Sequence, residues 1–231
     1  MANATLVLSR EELDDCTRLL PGTFYRVNNP FLPRPLAGPG CFARQCVENE
    51  GRVLLFVGRL IPEKGILDLI EALCIIRDEE TFHLIVAGDG PLLRIAQVKV
   101  REGKIDQNVT FAGYLQHKDL DSAYAASDFL VLPTYHPEGF PTVIAEAMAA
   151  GLKIITTRIR GAADHLEENV NGAFVPARNP LALAEVLRSE LRRGGRSDAV
   201  TAANKKKLGQ FAPEVVAREY YEIFKRVLTT A

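Results

Sequence analysis

Residues 53–65 read VLLFVGRLIPEKG. The run Val53–Val57 is a short apolar stretch with β-branched members, the signature of a buried strand. Gly58 ends it, and Pro62 and Gly65 interrupt the backbone again. From Ile66 the apolar residues return at helical spacing. Ile66, Leu69, Ile70, Leu73 and Ile76 share one face, while Asp68, Glu71 and Arg77 fall elsewhere. A strand, a glycine-bearing loop and a one-faced helix form the first half of a βαβ unit.

The same rhythm continues toward the C-terminus. Further strands are expected at Phe82–Ala87, Val109–Phe111, Phe129–Leu132, Lys153–Thr156 and Ala173–Val175. Helices are expected at about 92–102, 118–126, 141–150, 180–193, 198–208 and 213–228, with Pro141, Pro180 and Pro213 at or near first turns. Six strands alternating with helices predict an α/β fold, a Rossmann-like doubly wound parallel sheet flanked by helices over residues 52–231.

The first fifty residues do not follow this rhythm. Ala4–Leu8 and Thr23–Val27 read as short strands around a helix at Arg10–Leu20. The stretch NNPFLPRPLAGPG, residues 28–40, is rich in Pro and Gly and reads as a linker or hinge, so residues 29–51 are taken as a linker and 1–28 as a separate N-terminal piece. Two strands and one helix cannot form a domain alone. They must lean on the main domain, on a partner, or on a domain that this chain lacks.

Composition narrows the class. In 231 residues, 47% apolar and 25% charged side chains describe a globular chain rather than a disordered one. The net charge of −1, without a basic stripe interleaved with aromatics, argues against a nucleic-acid partner. The one dense basic run is Lys205–Lys207. No apolar run is long enough to span a bilayer, and MANATLVLSR lacks the pattern of a secretory signal, so a cytoplasmic location is expected. Cys16, Cys41, Cys46 and Cys74 show no paired spacing and His83, His117, His136 and His165 are scattered, so no metal site, disulfide framework or cofactor is expected. The cysteines read as small buried apolar residues.

In an open parallel sheet, ligands bind beyond the carboxyl ends of the strands. After the first main strand, Gly58 permits a tight turn, and Arg59 and Lys64 precede a helix start where a diphosphate would be favoured; a solvated loop is the plainer alternative. Gly88-Asp89-Gly90-Pro91 and Gly113-Tyr114-Leu115 suit either turn chemistry or close backbone approach to a ligand. The fourth loop carries the most information. Gly139 frees the backbone, Pro141 suits the first turn of the next helix, and unpaired N–H groups should face the cleft. Glu138 precedes that helix and Glu146 lies within it, between Ala145 and Ala147. A carboxylate on so apolar a helix needs a hydrogen-bonding partner if buried, and sugar hydroxyls would serve. A helix-start charge and a surface glutamate fit composition equally well. His136 reads as an exposed or structural loop residue, and His83 as satisfied in the core or at its edge. His117 and His165 carry no signal, while Asp164 suits a ligand contact or a helix N-terminus.

In order along the chain, VLLFVGRLIPEKG (53–65), LIVAGDGPL (84–92), VTFAGYL (109–115), ASDFLVLPTYHPEGFPTVIAEAMAAGLKIITT (126–157), NGAFVP (171–176) and FAPEVVAREYYEIF (211–224) resemble the donor-binding half of retaining family 4 glycosyltransferases of the GT-B fold. The resemblance implies a UDP- or GDP-sugar as donor and metal-independent transfer with retention of anomeric configuration. It implies that Arg59 and Lys64 bind the donor diphosphate, that Glu138 lies against the transferred sugar, and that Glu146 holds the ribose hydroxyls. Gly139, Phe140, Pro141 and Thr142 would line sugar and phosphate, with Gly58, Gly88, Gly113 and Leu115 completing the nucleotide-sugar site. Residues 3 to about 28 resemble only the tail of the family's N-terminal acceptor domain, with Asn28-Asn29-Pro30 where members often have Pro-Asn-Gly. The expectation is therefore a fragment, or one chain of a split enzyme, nearly inactive alone. The acceptor domain would come in cis or from a separate chain, and peripheral membrane contact of the whole enzyme is left open. The terminal helix would then expose Tyr220, Tyr221 and Phe224. The alternative is a non-catalytic nucleotide-binding or assembly module of GT-B type.

Overall fold

A computed structural model describes residues 4–34, 51–136 and 139–230. Strands β1 (Thr5–Val7) and β2 (Phe24–Arg26) flank helix α1 (Arg10–Leu19). The main unit runs β3 (Arg52–Val57), α2 (Ile66–Ile76), β4 (Phe82–Ala87), α3 (Leu93–Glu102), β5 (Val109–Gly113), α4 (His117–Ala126) and β6 (Phe129–Leu132). It continues through α5 (Thr142–Ala149), β7 (Lys153–Thr157), α6 (Arg160–His165), β8 (Gly172–Val175), α7 (Pro180–Arg193), α8 (Asp198–Leu208) and α9 (Pro213–Thr230).

The six main strands form one parallel sheet in the order β5-β4-β3-β6-β7-β8. The chain moves outward from β3 to β5, returns to the other side of β3 with β6, and moves outward again to β8. The direction therefore reverses between β3 and β6, where a crevice opens at the carboxyl ends of the strands. Every residue of β4, β6 and β7 is buried, as expected of a parallel sheet covered on both faces. Ile66, Leu69, Ile70, Leu73 and Ile76 of α2 are fully buried, so the periodicity of that helix does mark its packing face. The charged exception in β7 is Lys153, whose ammonium lies 2.5 Å from the Glu190 carboxylate of α7, both nearly inaccessible. The Asp128 carboxylate accepts the Val53 N–H at 2.9 Å, pinning the start of β6 to that of β3 at the edge of the sheet opposite the crevice.

The N-terminal piece leans on this unit. Strands β1 and β2 pair in parallel, and Ser9 caps α1 by accepting the Glu12 N–H at 3.1 Å while the Glu12 carboxylate takes the Leu8 N–H at 3.0 Å. Asp164, in α6, accepts the Arg10 N–H at 2.8 Å. Its role is thus at a helix N-terminus, but that of α1 rather than its own. The chain then runs into the main unit, with the Asn28 side chain donating to the Gln210 carbonyl at 3.3 Å and the Phe31 N–H to the Phe211 carbonyl at 2.8 Å.

Some expectations shift. Pro141 stands at the N-cap of α5 rather than inside its first turn. Helix α6 was not foreseen, because RGAADH is short and carries a glycine. Cys16 and Cys74 are half-buried rather than buried, and Cys41 and Cys46 lie outside the described residues. Among the described residues, no helix is long and apolar enough to cross a membrane.

Candidate functional site

The two loops that leave the reversal point, after β3 and after β6, are stitched together. The Glu63 carbonyl accepts both the Thr134 hydroxyl at 2.9 Å and the Tyr135 N–H at 2.8 Å. Gly65 ends the turn Pro62–Lys64 at φ 73° and starts α2; a Cβ there would run into the Pro133 carbonyl, so glycine is needed for conformation and for space. Lys64 is held half-buried in this turn, and burial pushes its ammonium pKa down from the ordinary value. Arg59, on the approach to the turn, is exposed and lines a cleft.

That cleft has a volume of about 480 Å³. Of the residues singled out from sequence, Gly58, Arg59, Gly88, Leu115 and Glu146 line it together. Gly88 sits where β4 passes β3 so closely that a Cβ would strike the Gly58 carbonyl, and its N–H donates to the Gly113 carbonyl at 2.7 Å. Gly113 thus supports the floor from behind. Leu115, in the loop after β5, supplies an apolar wall.

Glu146 projects from α5 at the far side. Ile144, Ala145, Ala147 and Met148 around it are buried, whereas the Glu146 side chain keeps 24% of its accessibility. The partner that its apolar setting demanded is Tyr124 of α4, whose hydroxyl donates to Oε2 at 2.9 Å. Burial, followed by the neighbouring Glu146 charge, pushes the Tyr124 pKa well up, so the phenol stays a neutral donor. On the Oε1 side stands Arg34, whose guanidinium lies 3.6 Å from Glu146, 3.4 Å from the Asp121 carboxylate and 2.5 Å from His117 Nδ1.

The loop into α5 lies along the same crevice. Gly139 abuts the side chain of Leu8, which brings the N-terminal piece to the loop. The Phe140 ring turns inward, stacked on Phe211 and edge-on to His165 with centroids 4.9 Å away in each case, so Phe140 can offer a ligand only its backbone. Among the described residues no side chain caps α5; the Ile144 N–H is taken by the Pro141 carbonyl at 3.0 Å, which leaves the N–H groups of Thr142 and Val143 available to an anion. Lys64, Gly139, Phe140, Pro141 and Thr142 border the cleft's loops without being part of its lining. Glu138 lies outside the described residues. Among the described residues, no three His, Cys, Asp or Glu side chains gather as a metal site.

Residues 51–192 match the model of the group 1 glycosyl transferases. The chain belongs to this family. It is 29% identical over 180 residues to an uncharacterized glycosyltransferase of Methanocaldococcus jannaschii, covering 78% of this chain and 46% of that protein. Sucrose-phosphate synthase from Thermosynechococcus elongatus superposes with a TM-score of 0.80 at 23% identity, over 100% of this chain and 60% of the synthase chain. HepE of Anabaena in complex with UDP-glucose superposes with a TM-score of 0.80 at 20% identity, over 98% and 64% of the two chains. The fold is that of one half of a GT-B glycosyltransferase. The chain spans about half the length of the curated relatives it matches.

For this group 1 glycosyl transferase, sequence reasoning missed Arg34, His117, Asp121 and Tyr124. Tyr124 is a buried aromatic on α4 whose only outward signal is the need of Glu146 for a partner. His117 opens α4 and faces the cleft, and Arg34 sits in a proline-rich stretch read as linker. Among the described residues, part of that linker is thus a wall of the site.

Proposed function

We propose that this chain is the donor-binding half of a glycosyltransferase that takes a UDP- or GDP-sugar. The ribose hydroxyls bind Glu146, the base lies against Leu115 and the loop after β5, and the diphosphate lies toward Arg59, Lys64 and the start of α5. The transferred sugar lies along Gly139–Thr142 and Glu138. The single observation that carries this reading is Glu146. It is a carboxylate flanked by buried Ala145 and Ala147, braced from behind by Tyr124 and open to a cleft that Arg59 also lines. That the HepE structure of the same fold holds UDP-glucose supports the class of ligand.

The chemistry follows from where charge develops. As the sugar C1–O bond to the diphosphate breaks, negative charge accumulates on the leaving phosphate oxygens. Arg59, Lys64 and the open N–H groups of α5 take the part that a metal ion plays elsewhere, and the proposal needs no metal. An anion beside Lys64 favours the charged form that burial disfavours, so diphosphate binding and Lys64 protonation reinforce one another. The acceptor, whose hydroxyl oxygen forms the new bond to C1, is bound by a domain supplied in cis or on a separate chain, and the transfer retains anomeric configuration.

The test compares a nucleoside with its diphosphate. Lys64→Ala should weaken UDP or GDP binding by about ten- to a hundredfold, as expected for loss of a charge-assisted hydrogen bond. Uridine and guanosine should bind the variant as they bind the unmodified chain. Equal losses for nucleoside and diphosphate would contradict the placement. A second reading, an assembly module of the same fold, is favoured by α9, where Tyr221, Phe224 and Leu228 are exposed. It predicts stable self-association without nucleotide binding.

A further inference from the structure

We propose that Arg34 belongs to the nucleoside site, holding Glu146 in the ligand-free chain and yielding it to the ribose diol. This rests on the donor reading of the cleft. Arg34 comes from the segment that joins the N-terminal piece to the sheet, a few residues after the Phe31 N–H is fixed to the Phe211 carbonyl. It is more than a hundred residues from Glu146 in sequence, yet both line the cleft.

The geometry divides the Glu146 carboxylate into two sides. Oε2 is committed to the hydroxyl of Tyr124, which is itself fully buried, so that oxygen faces the interior. Oε1 is the oxygen on the Arg34 side, and Arg34 covers it from 3.6 Å. That separation is too long for a good hydrogen bond and amounts to a charge contact. A ribose diol offers two neutral O–H donors, and with Oε2 turned inward they must be received on Oε1, the oxygen that Arg34 covers. Seating the diol therefore means moving the guanidinium off Oε1.

Arg34 has somewhere to go. Its guanidinium already lies 3.4 Å from Asp121 and contacts His117, so it keeps a counter-ion after leaving Glu146. The contact being given up joins partly exposed side chains, 42% and 24% accessible, a class of ion pair that is weak in water. The exchange is thus nearly balanced, and the segment carrying Arg34 senses whether the nucleoside is bound. By linkage, whatever restrains that segment changes nucleotide affinity.

The experiment is a calorimetric comparison of UDP with 2′,3′-dideoxy-UDP, and of GDP with its dideoxy counterpart, on the unmodified chain and on Arg34→Ala. The preference for the ribose form should rise about threefold in the variant, the scale of one exposed ion pair. Arg34→Gln should do the same while keeping more of the side chain's bulk. In a Glu146→Gln background, removing Arg34 should leave the preference unchanged, because the competition is for that carboxylate. A preference that is unchanged or lower in both Arg34 variants would overturn the role given to Arg34 while leaving the donor reading standing. Failure of the unmodified chain to bind any of these nucleotides would overturn both.

Discussion

The six-stranded unit and the pieces at the chain ends are built to different standards. In the first, all of β4, β6 and β7 is buried, and even a charged pair, Lys153 with Glu190, is sealed between sheet and helix. In the second, α1 buries none of its residues, and Leu19, Leu20, Tyr221, Phe224 and Leu228 stand exposed on α1, just after it, and on α9. Strands β1 and β2 form a two-stranded sheet, too small to be stable without support. The sheet is covered by helices on both faces, and α8 closes the unit, with the Asn204 side chain donating to the Leu152 carbonyl and accepting from the Asn171 side chain. The cleft is lined by the sheet unit except for Arg34, which the N-terminal segment lends to it.

The largest effect that would break this contrast lies inside the complete unit. Removing the carboxylate with Glu190→Ala leaves Lys153 buried without its partner, and should cost about 3–5 kcal/mol of stability in urea denaturation. A loss below about 1 kcal/mol would show that the pair is not sealed. At the seam between the regions, His165 is buried against Phe140 and Phe211, the latter at 4.6 Å. Burial foremost, then the positive charge of Arg26, lowers its pKa from 6.5 to about 4; Asp164 acts the other way, and Lys207 and Arg10 add to the lowering. Between those two pKa values the unfolded chain takes up a proton that the folded chain refuses, so stability is complete above pH 6.5 and lost as pH falls toward 4. From pH 7 to pH 5 this group should cost about 2 kcal/mol, and His165→Leu should remove that part of the acid sensitivity. Identical pH dependence of the two proteins would place the imidazole elsewhere. The smallest effect on stability belongs to the end pieces. Replacing both Tyr221 and Phe224 by Ser should change stability by less than about 0.5 kcal/mol while lowering self-association in sedimentation. A large loss of stability would mean that α9 is packed against the chain itself.

The contrast also explains what was legible in the sequence. Strands β4 and β6 have the bounds that their apolar runs predict, because a strand buried on both faces has no other way to read. Glu146 was visible as a carboxylate among alanines, a conflict between residue and surroundings that only a partner resolves. Arg34 was not visible, since nothing local links an arginine in a proline-rich stretch to a helix more than a hundred residues away. Helix α6 was missed for lack of length, and of the two roles open to Asp164 the helix N-terminus is the one found, but which helix could not be read because α1 is joined to it only in the fold. His165 gave no signal because its burial against Phe140 and Phe211 and the charge of Arg26 come from elsewhere in the chain.

The central claim is that the complete unit carries a nucleotide-sugar site centred on Glu146, and calorimetric titration tests it most directly. UDP, GDP and their sugar conjugates would be titrated into the unmodified chain and into Glu146→Gln. The account predicts that one base binds the unmodified chain and that the variant, keeping shape but losing the charge that accepts the ribose hydroxyls, binds it about ten- to a hundredfold more weakly. Equal affinity in the two proteins would contradict it.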